Sequence, residues 1–345
     1  MLKNIFSKPY SHLYIVGDNS GWSTDVDAQD LRNFAKKLSI PVAIIKRAYF
    51  NFPQVVHYTS QFSLLLNIYK SKHRLSLDYY HGKPEQGETF KKCFEALEKH
   101  KDQIARVRVS TKEMEERLSP LLNPGTVMHI PIGIDLNIFK KHTEESKHAM
   151  REKFGIPAEA VVIGSFQKDG SGWREGLEPK LIKGPDIFLK VVEKLKEEIP
   201  NLWVLLSGPS RGYMKQGLGK LGIPYKDMGH REYQEVASFY DALDLYLVTS
   251  REEGGPKAIL ESMAKGVPLV TTAVGQANDL VRHRENAMMT PIEDVAGLTA
   301  AALDVLRDEG LKATLVENGL RTADEQSLQN QLPLWQEYFK PLITS

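Results

Sequence analysis

Two carboxylates eight residues apart, Glu253 and Glu261, stand in the stretch SREEGGPKAILESMAKGVPLVTTAVG between Ser250 and Gly275. Gly254 and Gly255 follow the first, and glycines let a backbone approach a ligand with no Cβ in the way. Pro256 suits the first position of a helix and Gly266 the position just past its end, so the pattern predicts a helix from Pro256 to Lys265. The N-terminus of that helix, with Lys257 in its first turn, would offer free N–H groups and partial positive charge to a phosphate. Glu261 lies about two turns further on, so the pair could grip two ends of one elongated ligand. A carboxylate accepts two hydrogen bonds at once, which suits the vicinal diols of a sugar. A plainer reading stays open beside this one: Lys257, Glu261 and Lys265 at i, i+4 and i+8 also describe a salt-bridged solvent face.

The elements that must hold these residues are legible as alternation. In the first half the runs HLYIV, PVAII, QVVHY, RLSLDYY, ARVRVS and TVMHIPI predict strands, with helical periods at 28–38 and 88–101 between them. A second series follows: VVIGSF, LWVLLSG, DLYLVTS and PLVTTAV as strands, and helices over 184–198, 294–308 and 310–322. The polar stretch 140–150 reads as a linker or a surface helix. Leu328, Leu332, Trp335, Tyr338, Phe339 and Leu342 give the tail a helical period. Strands alternating with helices are the mark of parallel α/β sheets. The expected architecture is therefore two doubly wound, Rossmann-like domains facing across a cleft: 1–140, completed by a helix over 327–345, and 141–326. DLYLVTS would end where ligands bind in such sheets, at the carboxyl end of a buried strand.

Composition narrows the function. A net charge of +1 over 345 residues argues against a nucleic-acid binder. One cysteine, Cys93, excludes an intrachain disulfide, and the ten histidines show no zinc spacing, so no metal is expected. No run is long enough to cross a bilayer, and the start lacks signal-peptide organisation, so a cytoplasmic protein is expected. Gly217, Gly219 and Gly222 spell GxGxxG, but neither a strand before nor a clean helix after supports a dinucleotide fingerprint.

With those residues set out, the stretch 250–275 resembles the E-x7-E signature of the group 1 retaining glycosyltransferases, glycosyltransferase family 4 of the GT-B fold. Met263-Ala264, Gly266, Pro268 and Val274-Gly275 share in the resemblance. IPIGIDLNIF, from Ile130 to Phe139, is similar to the family's interdomain segment, with Ile132 in place of the usual Asn. The resemblance implies a nucleotide-diphosphate sugar donor of UDP, GDP or ADP type, used without a metal or other cofactor. It implies that Glu261 binds ribose hydroxyls, Glu253 hydroxyls of the donor sugar, and the amides around Gly254 to Lys257 the diphosphate. The family also places an Arg and a Lys against the leaving diphosphate. Lys183 matches the Lys, but Ser165 or Phe166 occupies the place of the Arg, and the insertion QKDGSGWREGLEPKLI intervenes. Lys168 is the first candidate for the missing charge, with Arg174 and Lys180 behind it.

The first half would face the acceptor, a glycan or lipid-linked molecule, in surface polysaccharide or glycolipid synthesis. Gly17 and Gly21 flank a loop that the family uses near the donor phosphate. His81 resembles the strand-end His near the transferred sugar, with His57 its competitor. Residues 1–140 carry 20 Lys and Arg against 14 Asp and Glu. Lys70, Lys72, Arg74, Lys91, Lys92, Lys99, Lys101, Arg106 and Arg108 accompany Phe90, Phe94, Leu97 and Ile104 at helical spacing. That surface either touches anionic lipid at the inner face of the membrane or packs on its own sheet; sedimentation with anionic vesicles at low salt separates the two. Transfer of a hexosyl unit with retention is the expected reaction. The rival readings are a GT-B sugar phosphorylase, which would consume inorganic phosphate, a nucleotide-sugar epimerase, and a non-catalytic nucleotide-sugar binding protein.

Overall fold

The apolar runs of the first half become parallel strands in the computed structural model, which describes residues 10–17, 23–46, 48, 53–66, 73–172 and 174–343. They are β1 (Leu13–Val16), β2 (Val42–Ile45), β3 (Val55–Tyr58), β4 (Arg74–Tyr79), β5 (Ile104–Val109) and β6 (Val127–His129), in the order β2-β1-β3-β4-β5-β6. The second half supplies β7 (Val161–Phe166), β8 (Leu202–Ser207), β9 (Tyr225–Asp227), β10 (Leu245–Val248), β11 (Leu269–Thr272) and β12 (Met288–Thr290). Their order is β12-β11-β10-β7-β8-β9, again parallel throughout. The strands are apolar because helices cover both faces; β3, β10 and β11 are buried at every position. Each sheet reverses its strand order once, between β1 and β3 in the first and between β7 and β10 in the second. A crevice at the carboxyl ends of the strands opens at such a reversal.

The chain divides into two units, residues 1–131 with 328–345, and residues 132–327. In the first, Trp335, Tyr338 and Phe339 of the C-terminal helix (Leu332–Phe339), with Leu342 just after it, pack with Leu13, Ile15, Phe34 and Ile130. The boundary expected at 140 moves to Pro131. Residues 132–140 belong to the second unit because Ile134 and Phe139 are buried in its core and the Ile134 N–H donates to Gln326 O. The stretch expected to be a linker or a surface helix is a surface helix, Glu144–Phe154, docked through Arg151 and Phe154. A Thr143 capping box starts it, left-handed Gly155 ends it, Phe154 enters the core, and buried Arg151 bonds Asp244 and two carbonyls.

The GxGxxG glycines carry no phosphate loop. Gly217 and Gly219 lie inside the helix Gly212–Leu221 and Gly222 is its left-handed cap. Gly217 is there because a Cβ would strike the Leu189 side chain. The basic stretch of the first unit also resolves into separate roles. Leu97 and Ile104 are in the core and Phe94 packs edge-on against Tyr79, so the apolar face of the helix Glu88–Lys99 covers its own sheet. Arg74 bonds the carbonyls of Pro341 and Leu342, and Arg108 is buried, while Lys91, Lys92, Lys99 and Lys101 face solvent. No helix among the described residues is long and apolar enough to cross a membrane.

Candidate functional site

The loops after β7 and β10, at the reversal of the second sheet, carry the paired charges. After β7 the chain runs into the insertion, which folds back as a hairpin with Gly170 bridged to Pro179. Ser171 N–H donates to Glu178 O at 2.8 Å and Lys180 N–H to Asp169 O at 2.7 Å. Arg211 pins the base of this hairpin from below. Its guanidinium donates to the carbonyls of Ser165, Gln167 and Ser207 at 2.7–2.8 Å and stands 3.1 Å from the Asp169 carboxylate. Both side chains are about 1% exposed. Burial pushes the Asp169 carboxyl up to about 6 despite that neighbour.

Lys183 follows in a single tight turn, Leu181–Lys183, that ends on left-handed Gly184. A Cβ on Gly184 would run into the Thr249 carbonyl, so the turn can lie directly on the end of β10 only with glycine there. Thr249 Oγ1 donates to Gly184 O at 2.8 Å. Arg251 then joins the two loops. It forks onto Asp186 with two bonds of 2.8 Å, donates to Leu181 O at 2.6 Å, and its N–H reaches Ile182 O at 2.8 Å. These bonds hold the Asp186 carboxyl below its usual range. The outcome is one short ion pair, Lys183 Nζ to Glu253 Oε1 at 2.5 Å, with Ser250 Oγ donating to the same oxygen at 3.0 Å. The two side chains are 21% and 12% exposed, open enough to reach a ligand and dry enough for their charges to matter.

Around that pair lie the other residues singled out from sequence. The helix runs Lys257–Lys265, so Pro256 is its cap and not, as expected, its first residue. Pro256 caps with no side-chain hydrogen bond, and the Ile259 N–H returns to Pro256 O at 3.1 Å. Gly255 packs where a Cβ would meet Gln276 Oε1 and Ile132 at 2.8 Å. Gly275, with φ 52°, lies where one would meet the carbonyls of Glu253 and Gly254. The loop is therefore shaped by close backbone approach on both sides.

Glu261 settles the alternative left by its spacing. It is 5% exposed, and Lys265 pairs with Asp241 at 2.5 Å, so the three residues are not a solvent face. Instead Tyr233 donates its hydroxyl to Glu261 Oε1 at 2.9 Å and Tyr240 to Oε2 at 2.8 Å. Burial raises the carboxyl's pKa, and the two hydroxyls and nearby Lys257 oppose it. Of the candidates for the missing cation, Arg174 is exposed on the hairpin. Lys180 and Lys168 are half-buried and each is held below its ordinary pKa by burial. Lys180 also feels the positive charges of Lys183 and Lys168 and the negative charge of Glu253. Lys180 and Lys183 thus lie near the Glu253 carboxylate and Lys168 near Lys180, a local concentration of positive charge suited to an anion.

In the first unit, His81 follows the carboxyl end of β4, half-buried and edge-on to Phe90 at 5.6 Å. Gly17 follows β1; Gly21 falls outside the described residues. His57 is fully buried and has a structural role, lying 3.0 Å from Ser76 Oγ and 3.4 Å from Asp78. Burial works against the Asp78 charge, but His57, Arg108 and the Tyr80 hydroxyl hold its pKa below the ordinary value. Arg108 extends the network to the carbonyls of Ile130 and Pro131. Among the described residues no three His, Cys, Asp or Glu side chains are grouped to hold a metal ion. Arg251, Asp186, Tyr233, Tyr240 and the Arg211–Asp169 pair were not singled out from sequence. Their partners lie 21 to 65 residues away, at no regular spacing.

Comparison with known proteins places this geometry. Residues 177–322, which carry Lys180, Lys183, Glu253 and Glu261, match the family model for glycosyl transferases group 1. D-inositol 3-phosphate glycosyltransferase of Corynebacterium urealyticum is 24% identical over 223 residues, 61% of this chain and 50% of that protein. The lipopolysaccharide core mannosyltransferase LpsB of Rhizobium meliloti is 28% identical over 218 residues, 60% of this chain and 58% of its own length. The chain thus spans about half the length of the curated relatives it matches. Among solved structures, Anabaena HepE in complex with UDP and glucose superposes with a TM-score of 0.76 at 17% identity, over 95% of this chain and 98% of that one. Sucrose-phosphate synthase of Thermosynechococcus elongatus superposes with a TM-score of 0.74 at 15% identity, over 96% and 98%. The fold is that of the GT-B glycosyltransferases, α/β with two parallel Rossmann-like sheets.

Proposed function

We propose that the chain is a retaining glycosyltransferase of family 4 that moves a hexosyl unit from a nucleoside-diphosphate sugar to a glycan or lipid-linked acceptor. The observation that carries the reading is the Lys183–Glu253 pair, 2.5 Å apart at the reversal of the second sheet, with Glu253 four residues ahead of the helix that starts at Lys257. Glu253 and Glu261 supply the E-x7-E spacing within the matched region. The relatives act on inositol phosphate and lipopolysaccharide core, and HepE holds UDP and glucose, which favours a nucleotide-sugar donor and a surface-glycan product.

In this reading the donor diphosphate takes Lys183 away from Glu253 and lies between Lys183, Lys180 and the amides at Gly255 to Lys257. Glu253, released from its cation, accepts hydrogen bonds from hydroxyls of the donor sugar. Glu261 accepts from the ribose. The acceptor hydroxyl oxygen attacks the anomeric carbon from the face that the diphosphate leaves. The bond from that carbon to the diphosphate oxygen breaks with its electron pair going to the phosphate, and the acceptor's proton passes to the same departing group. The lysines and the helix N-terminus stabilise the charge that develops there, without a metal. His81 is the candidate from the first unit for a contact with the transferred sugar.

Thermal unfolding with UDP, GDP and ADP tests the binding half of this reading. One nucleotide should raise the melting temperature of the protein, because a ligand that binds only the native state stabilises it by mass action. The same nucleotide should have little effect on Lys183→Ala. No shift with any of the three contradicts the reading.

A further inference from the structure

Glu261 is closed off in this structure, and the two groups that close it are not equivalent. Each carboxylate oxygen accepts one tyrosine hydroxyl, and the residue is 5% exposed. Tyr240 is fully buried, stacked on Tyr246 at 5.1 Å and edge-on to Phe166 at 4.9 Å, so it cannot leave without opening the core. Tyr233 begins the helix Tyr233–Phe239, directly after the exposed residues His230 to Glu232. It is half-buried, its ring tilted against Phe139 at 5.3 Å and the Lys257 ammonium 5.7 Å over its face. Tyr240 is enclosed by the core, whereas Tyr233 stands half-buried at a helix start.

We infer that the Tyr233 hydroxyl occupies the place of a ribose hydroxyl on Glu261 and must swing aside for the ribose hydroxyls to reach that carboxylate. The inference rests on the reading of Glu261 as the ribose-binding residue. A vicinal diol donates two hydrogen bonds and replaces the single one that Tyr233 gives to Oε1, while Tyr240 stays on Oε2 and keeps the carboxylate oriented. A desolvated carboxylate left bare would be costly, so the free protein needs such an occupant. Tyr233 is then a positioning residue that sets how tightly the ribose is held and protects Glu261 until it arrives. Its departure also removes the aromatic face beneath Lys257, at the helix end where the diphosphate would lie.

Tyr233→Phe keeps the ring, its packing and the Lys257 contact, and removes only the competing hydroxyl. Wild type and this variant are titrated calorimetrically at pH 8 with UDP, GDP and ADP, and with the 2′,3′-dideoxy form of whichever binds. The variant should bind the ribonucleotide roughly tenfold tighter, the scale set by one hydrogen bond to a charged group, with the dideoxy nucleotide held equally by both proteins. In a Glu261→Gln background the gain should disappear. Equal or weaker binding of the ribonucleotide by Tyr233→Phe, with its unfolding transition intact, overturns the inference and leaves the nucleotide reading standing. Binding of no nucleotide by either protein overturns both.

Discussion

Glu253 Oε1 takes both the Lys183 ammonium and the Ser250 hydroxyl, so Lys183 is already paired in this structure. In the proposed reading a diphosphate competes with that carboxylate for Lys183, and the half-buried Lys180 and Lys168 add positive charge nearby. Lys180, whose charge is coupled to both members of the pair, should matter more. Lys180→Ala is expected to weaken nucleoside-diphosphate binding about tenfold, in the range of one partly desolvated charge interaction, and Lys168→Ala by less. Calorimetric titration of both variants checks the order; a larger loss in Lys168→Ala would restore the residue favoured from sequence. Asp169 offers a separate test below the hairpin. Its native pKa of about 6 lies above its ordinary 3.8, so the stability it contributes is fully present below pH 3.8 and is lost as pH rises through 6. Asp169→Asn cannot ionise. Across pH 4 to 7 in urea unfolding, the difference in stability should shift in the variant's favour as pH rises, and a flat difference would contradict the assignment.

At the scale of elements, the two loops of the site are set by contacts that no local pattern announces. The strands and the helix after Pro256 were legible because period and capping residues are local: apolar runs for buried parallel strands, and Gly266 just past the helix end. The paired glutamates were legible as a motif, yet their spacing alone left Glu261 ambiguous between a ligand and a surface residue. Burial beneath Tyr233 and Tyr240 excludes the surface reading, and burial is a property of the fold. Arg251 on Asp186 and Arg211 on Asp169 join residues 65 and 42 positions apart, which spacing cannot reveal. Edge strands β9 and β12 were missed for another reason: Tyr-Lys-Asp and Met-Met-Thr are three residues each, too short for a period. Gly184 concentrates the element-scale claim in one atom. Gly184→Ala combines a left-handed φ of 64° with a clash against the Thr249 carbonyl. It should cost roughly 2–4 kcal/mol, above the 1–2 typical of a left-handed non-glycine residue alone. Urea unfolding reads that cost, and the nucleotide-dependent thermal shift should fall with it because Lys183 rides on the same turn.

Over the whole molecule, the two sheets use the doubly wound plan with different strand orders, β2-β1-β3-β4-β5-β6 and β12-β11-β10-β7-β8-β9. The second has its reversal between β7 and β10, and both loops that leave that point carry charged site residues, so fold and chemistry agree there. The hairpin inserted after β7 returns through Lys180 to Lys183. In the proposed reading it supplies the positive charge that Ser165 and Phe166 lack. The first unit keeps its own helix, Leu332–Phe339, and buries the His57–Asp78–Arg108 network in its core. Its site residues accordingly rest on sequence resemblance, while those of the second unit have geometry behind them.

The most direct test of transfer at Lys183 and Glu253 is turnover of UDP-, GDP- and ADP-hexoses followed by proton NMR, with release of the nucleoside diphosphate and the anomeric signal of the sugar read together. The wild-type chain should release nucleoside diphosphate from one donor and deliver the sugar first in the donor's own anomeric configuration. Glu253→Ala and Lys183→Ala should each lose about 100-fold or more in rate, the scale of removing one group that stabilises a developing charge. Unchanged turnover in both variants, or a product of inverted configuration, would contradict the account.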